Sequence, residues 1–160
     1  MTTLHEECGI AAVYQLDQLS APPVNVTQYI PGMLLDLQNR GQLSTGVTSY
    51  NPKRDRLLQT YKELGNVGAV FRMYHTRKYK AIVERFSGNA AIGHVRYATS
   101  GLDNRNFAQP FERVHGRKWK WFSIAFNGNL ANFEALKTQL GIEDAVPRRE
   151  RSLLPKGTEQ

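Results

Sequence analysis

A chain of 160 residues with 41% hydrophobic and 22% charged side chains has the make-up of one globular domain and not of a disordered segment. Its single cysteine excludes an internal disulfide framework, no apolar run approaches the ~18–20 residues that span a bilayer, and the start lacks the basic-then-apolar pattern of a secretory signal, so a cytoplasmic protein with no membrane contact is expected. The formal net charge of +7 keeps a polyanionic partner in view.

In chain order, residues 8–14 (CGIAAVY) form a short apolar run that predicts a buried strand. Ile30, Met33, Leu34 and Leu37 recur at i, i+3, i+4 and i+7, which predicts one apolar face of a helix with Thr27 as N-cap, Pro31 in the first turn and Gly41 as the stop. Two strands, 46–50 and 56–61, are expected around the Asn51-Pro52 turn, and Asn66 is placed to cap a short helical turn. A helix over 76–86 puts Tyr79, Ile82, Val83 and Phe86 on one face. Residues 90–97 (AAIGHVRY) predict a strand, 98–111 a long loop, and 119–126 a strand that ends in the sharp turn Asn127-Gly128-Asn129. Leu130, Phe133, Leu136 and Leu140 line a last helix closed by Gly141, and residues 143–160, charged and without periodicity, read as a disordered tail. Strands grouped with helices on both sides predict a layered α+β domain.

Lys and Arg gather at 72–80, 113–120 and 148–156. The alternation Lys118-Trp119-Lys120-Trp121 fits a platform for single-stranded nucleic acid, but it equally describes a strand with one wet face, so a nucleic-acid partner is not expected.

Several polar clusters sit where strands end. A lone cysteine in a strand is usually a small buried hydrophobe, and a nucleophilic thiol, titrating near ~8.5, needs a base. His94 lies in an apolar strand and reads as a satisfied core residue, while His5, His75 and His115 belong to no motif. Removal of the first seven residues would give Cys8 an α-amino group of pKa ~7.7–8.0, well suited to relay the thiol proton. Arg96, at a strand end before hydroxyl residues and Gly101, can grip a carboxylate with its two-pronged guanidinium. The Asn127 amide beside the Gly128 N–H offers two donors for an oxyanion. Residues 37–46 (LQNRGQLSTG) make a polar helix end with two glycines.

Together ECGI, LQNRGQLSTG, GHVRYATSG, AQPF and FNGNLANF, in this order and spacing, resemble the class II glutamine amidotransferase domain. AQPF and LQNRGQ draw the resemblance towards the N-terminal glutaminase half of amidophosphoribosyltransferases, enzymes of de novo purine synthesis; it covers residues from about 7 to 140. Leu43 stands where that family has an acidic residue. The resemblance implies a four-layer αββα sandwich of the N-terminal-nucleophile hydrolase kind, incomplete at its C-terminal side. It implies a propeptide over 1–7, an amidotransferase domain over 8–142 and a divergent tail over 143–160. Cys8 would be the nucleophile, Asn127 and Gly128 the oxyanion hole, and Arg96 the holder of the substrate α-carboxylate, with Tyr97, Thr99 and Gly41 shaping the pocket. The implied ligand is L-glutamine and the implied partners are a second copy or a phosphoribosyltransferase domain. No cofactor is implied for this chain, magnesium belonging to that other domain. A remnant that binds glutamine or a partner chain without turnover remains the alternative.

Overall fold

The computed structural model describes residues 8–16, 24–97, 104–128 and 130–141. The chain divides into two compact units, Met1–Gly128 and Asn129–Gln160.

In the first unit, β1 (Gly9–Tyr14), β2 (Ser44–Tyr50), β3 (Leu58–Leu64) and β4 (Ala90–Arg96) form an antiparallel sheet in the order β1-β4-β2-β3. The register pairs Gly9 with Val95, Gly46 with His94 and Ser44 with Arg96. Side chains alternate between faces. The inner face carries Ala11, Val47, Ala91 and Val95, all buried against Ile30 and Leu34 of α1 (Ile30–Asp36). Of these, Val47, Val95, Ile30 and Leu34, fully removed from water, each contribute roughly 1.5–3 kcal/mol, and each alanine less than about 1 kcal/mol. Gly93 permits the approach of the helix, because a Cβ there would stand 2.5 Å from Ile30 Cγ2. Tyr61 of β3 extends the inner layer to the rings of Phe71 and Phe86 and donates its hydroxyl to the Val70 carbonyl at 2.8 Å.

The helix start differs from expectation. A 3-10 turn, Val26–Tyr29, precedes α1, and its cap is Asn25, whose Oδ1 accepts from the Thr27 N–H at 3.1 Å. Thr27 is instead buried, donating its hydroxyl to the Phe86 carbonyl at 2.8 Å. Met33 is 39% exposed, outside the buried stripe. The helix ends through another 3-10 turn, Gln38–Arg40, before Gly41. Asn66 caps α2 (Val67–Val70) as expected, accepting from the Ala69 N–H, and α3 spans Thr76–Arg85. Strand β1 is not buried on both sides. Among the described residues it is an edge strand, and Ile10 and Tyr14 on its outer face are 41% and 63% exposed.

A two-stranded ribbon, β5 (Phe111–Arg113) and β6 (Phe122–Ile124), covers part of the outer face. Ser123 donates to Thr48 Oγ1 at 3.0 Å, and Glu112 accepts from Thr60 and from Arg56. Gly46 lets the incoming main chain lie on the sheet, since a Cβ there would collide with the Gln109 carbonyl oxygen. The strand expected over 119–126 is thus reduced to Phe122–Ile124. Lys118–Lys120 is a 3-10 turn with Trp119 74% exposed, because these residues have no sheet face to lie on. Among the described residues of the first unit, helix, four-stranded sheet and ribbon lie in successive layers.

In the second unit, α4 (Phe133–Gln139) has Glu134 in its first turn and Lys137 in its last, both favourable to the helix dipole. Gly141 follows at φ +60°, a conformation that suits glycine at a helix end. Residues 1–7, Thr99, Asn129 and the tail over 143–160 lie outside the described residues.

Candidate active site

Cys8 immediately precedes β1 and is half-buried. Gly9 seats it: a Cβ at residue 9 would stand 2.8 Å from Val95 Cγ2 and 2.9 Å from Leu37 Cβ, so only glycine lets the strand start lie between β4 and the end of α1. The Cys8 thiol donates to the Tyr97 carbonyl at 3.8 Å. The Cys8 carbonyl accepts twice, from Arg40 Nε and from Asn127 Nδ2, each at 3.1 Å. Three distant stretches of chain therefore meet at one residue.

Arg96 ends β4 beside it. Gly41 lies flat on this strand end, where a Cβ would stand 2.5 Å from the Arg96 carbonyl carbon and 2.8 Å from Tyr97 N. The Leu43 N–H donates to the Arg96 carbonyl at 3.0 Å. That bond is main-chain to main-chain, so the loop keeps its anchor whatever side chain residue 43 carries. The Arg96 guanidinium sits 5.6 Å from the Phe107 ring centroid, and its buried Nη1 has no hydrogen-bond partner among the described residues. A cationic donor buried in that condition is costly, and a carboxylate is the group that satisfies it best. The Tyr97 ring is 45% exposed, and its contribution at Cys8 is its carbonyl.

The turn that carries Asn127 is held from two sides. His94 Nε2 donates to the Phe126 carbonyl at 3.2 Å. The Gln109 side chain donates Nε2 to the same carbonyl at 3.2 Å and accepts the Phe126 N–H on Oε1 at 2.7 Å. Gly128 follows at φ +149°, a conformation that favours glycine. His94 is fully buried, and burial, aided by the nearby Arg96 charge and opposed by the Phe126 bond, pulls its pKa down to about 4. It is neutral at pH 7.

The structure brings Cys8, Asn127, Arg96, the Tyr97 carbonyl and Gly41 together at one end of the sheet, with Gly128 next in chain. Sequence reasoning gave no role to Arg40 or Gln109 and placed His94 in the core as satisfied. His94 is fully buried, but on the outer face of the sheet, and its Nδ1 has no hydrogen-bond partner among the described residues. The motifs LQNRGQ, GHVRY and AQPF contain all three residues, yet nothing local tells which main-chain atom each will reach. Among the described residues no group of three or more His, Cys, Asp or Glu is placed to hold a metal ion, and no helix is long and apolar enough to cross a membrane.

No family model matches the chain. It is 33% identical over 135 residues, 84% of its length, to amidophosphoribosyltransferase 1, chloroplastic, of Arabidopsis thaliana. It is 34% identical over 139 residues to the amidophosphoribosyltransferase of Archaeoglobus fulgidus and 33% identical over 143 residues to that of Homo sapiens. The chain spans only 21%, 26% and 25% of these three proteins. Among solved structures it superposes on the allosteric regulatory enzyme of purine biosynthesis with a TM-score of 0.64 at 26% identity, and on the glutamine phosphoribosylpyrophosphate amidotransferase from B. subtilis with 0.60 at 25%. Each superposition covers 87% of this chain and 26% of the other. Shared sequence and shared fold agree: the chain is a relative of the amidophosphoribosyltransferases, matching them over a glutamine amidotransferase domain of the N-terminal-nucleophile hydrolase fold.

Proposed function

We propose that this chain is the glutaminase part of an amidophosphoribosyltransferase-like enzyme of purine biosynthesis. It hydrolyses L-glutamine to glutamate and ammonia through a thioester on Cys8. The observation that carries this reading is the convergence at the start of β1: a thiol, an amide donor from Asn127 and, on the neighbouring strand, an arginine with a buried unpartnered N–H.

Residues 1–7 are a propeptide in this reading, and its removal frees the Cys8 α-amino group as base. That amine takes the thiol proton as Sγ attacks the glutamine side-chain carbonyl carbon. The oxyanion gathers charge where the Asn127 amide and the Gly128 N–H donate. Collapse breaks the C–N bond, the ammonium-like base returns its proton to the leaving nitrogen, and ammonia departs. Water then attacks the thioester, gives its proton to the amine, and releases glutamate with the thiol restored. Arg96 holds the α-carboxylate in a two-pronged contact, within walls formed by Tyr97, Thr99 and Gly41. The domain extends over 8–142, and 143–160 lie beyond it. The ammonia serves a phosphoribosyltransferase domain that works with magnesium.

Intact mass spectrometry before and after exposure to a glutamine-mimicking diazo-ketone tests this directly. The expected result is loss of seven residues and one covalent adduct, absent in Cys8→Ala. A full-length mass that never acquires the adduct overturns the reading in favour of a chain that binds without turnover.

A further inference from the structure

We propose that Gln109 and His94 are positioning residues for the glutaminase reaction, locking the Phe126 peptide so that the Asn127–Gly128 donors stay aimed at the Cys8 end of the sheet. This rests on the function proposed above and adds two residues whose hydrogen bonds go to Phe126.

The geometry is specific. Gln109 engages both polar groups of Phe126, donating to its carbonyl and accepting its N–H, as a paired strand would. His94 gives the same carbonyl a second donor. A carbonyl has two lone pairs, so these donors fill its capacity. Phe126 directly precedes Asn127, and rotation of its peptide would re-aim the Asn127 side chain. Both holders are anchored at one point of the sheet. His94 and Gly46 are register partners, and the Gln109 carbonyl rests on Gly46 where any side chain would block it. His94 also lies two residues before Arg96 on the same rigid strand. The group that grips the carboxylate and the group that fixes the oxyanion donors are thus referenced to one element. Oxyanion stabilisation depends on donors held within roughly 0.5 Å of their productive positions, which a free turn would not supply. A merely structural role would be satisfaction of the Phe126 main chain; the experiment separates the two.

The whole chain is compared as wild type, Gln109→Met, which keeps the shape and removes both bonds, and Gln109→Glu, which keeps the acceptor for the Phe126 N–H. Cys8 is labelled with the glutamine-like diazo-ketone and, separately, with iodoacetamide, which needs no oxyanion hole. Amide hydrogen exchange is read at Asn127, Gly128 and along β2 and β4. In Gln109→Met we expect diazo-ketone labelling about 10–100-fold slower with iodoacetamide labelling unchanged, exchange at Asn127 and Gly128 at least about tenfold faster, and the strands still protected; Gln109→Glu should fall between. Wild-type behaviour of Gln109→Met in both reagents overturns the proposal. Should wild type take iodoacetamide but never the diazo-ketone, the glutaminase reading fails, and the exchange data alone decide the positioning claim: unchanged exchange at 127 and 128 overturns it, faster exchange upholds it. If Gln109→Met loses strand protection, Gln109→Glu decides the matter by the same criteria.

Discussion

The proton on His94 is assigned by its partner. A main-chain carbonyl can only accept, so the bond to Phe126 requires Nε2 to carry the hydrogen, and Nδ1 keeps a lone pair with no partner among the described residues. Charging this ring would add a proton inside the sheet, beside Arg96, with no acceptor to receive it. The folded pKa, about 4, lies below the ordinary 6.5, so the unfolded chain binds more protons between these values. The contribution is therefore complete above pH ~6.5 and is lost as pH falls from there towards about 4, roughly 3 kcal/mol over the window. Urea unfolding of wild type and His94→Gln at pH 7 and at pH 4.5 checks this, because glutamine keeps an N–H donor and has nothing to titrate. The stability lost on acidification should be about 2–3 kcal/mol smaller in the variant. Parallel losses in the two proteins would show that His94 is not the group responsible. At this scale the placement of Cys8, Arg96 and Asn127 at strand ends was legible in the sequence, while the roles expected of them came from the family resemblance. The contributions of Arg40 and Gln109 were not legible. Each acts through a hydrogen bond to a main-chain atom 32 or 17 residues away, and that pairing is fixed by tertiary register rather than by neighbours in sequence.

Elements are legible where periodicity is long and obscure where it is short. The stripe over 30–37 gave a helix, and the apolar runs gave β1 and β4, since each pattern repeats over two turns or several residues of strand. Asn25 and Thr27 are both cap-forming types two positions apart, and the choice fell to Asn25 because Thr27 is drawn into a tertiary bond with Phe86. Strand β5 has three residues, too few to show alternation, and it becomes a strand only by pairing with β6. Glycines carry the complementary information. Gly32 lies within α1 with nothing within 4 Å of its would-be Cβ, so Gly32→Ala should stabilise the chain by roughly 0.5–1 kcal/mol through helix propensity alone. Gly46→Ala should do the opposite, about 1–3 kcal/mol destabilising, because the new methyl meets the Gln109 carbonyl and lies 2.7 Å from Lys62 Cβ. Paired thermal melts measure both signs at once. A stabilising or neutral Gly46→Ala would mean that the 108–110 segment does not rest on the sheet, and with it would go the anchoring of Gln109.

At the scale of the molecule, the two faces of the main sheet are treated differently. Among the described residues of the first unit, the inner face is closed by α1 and by Phe71, while the outer face is covered by the ribbon and by the main chain at Gln109. Next to Ser123 a cavity of about 340 Å³ opens on that outer face, with Ala12, Tyr14, Tyr50, Leu58 and Ile92 among its lining residues. Ile10, Phe122 and Ile124 are 41%, 51% and 50% exposed. The apolar run of β1 predicted a strand buried on both faces, but whether anything lies over its outer row is not written in the strand itself. Contiguous exposed apolar surface of this kind binds hydrophobic dyes, and on an edge strand it also invites self-association. The native chain should therefore enhance anilinonaphthalene-sulfonate fluorescence at pH 7, well below its melting temperature. The double variant Ile10→Lys, Tyr14→Lys should lower that enhancement by about half or more. It should shift the stability by only ~0.5 kcal/mol per site, because both side chains are largely in water already. The same variant should move sedimentation at high concentration towards the monomer. If dye fluorescence is absent in the native chain, or persists unchanged in the variant, the outer face of β1 is not the accessible apolar surface, and the open cavity beside Tyr14 must be closed in solution.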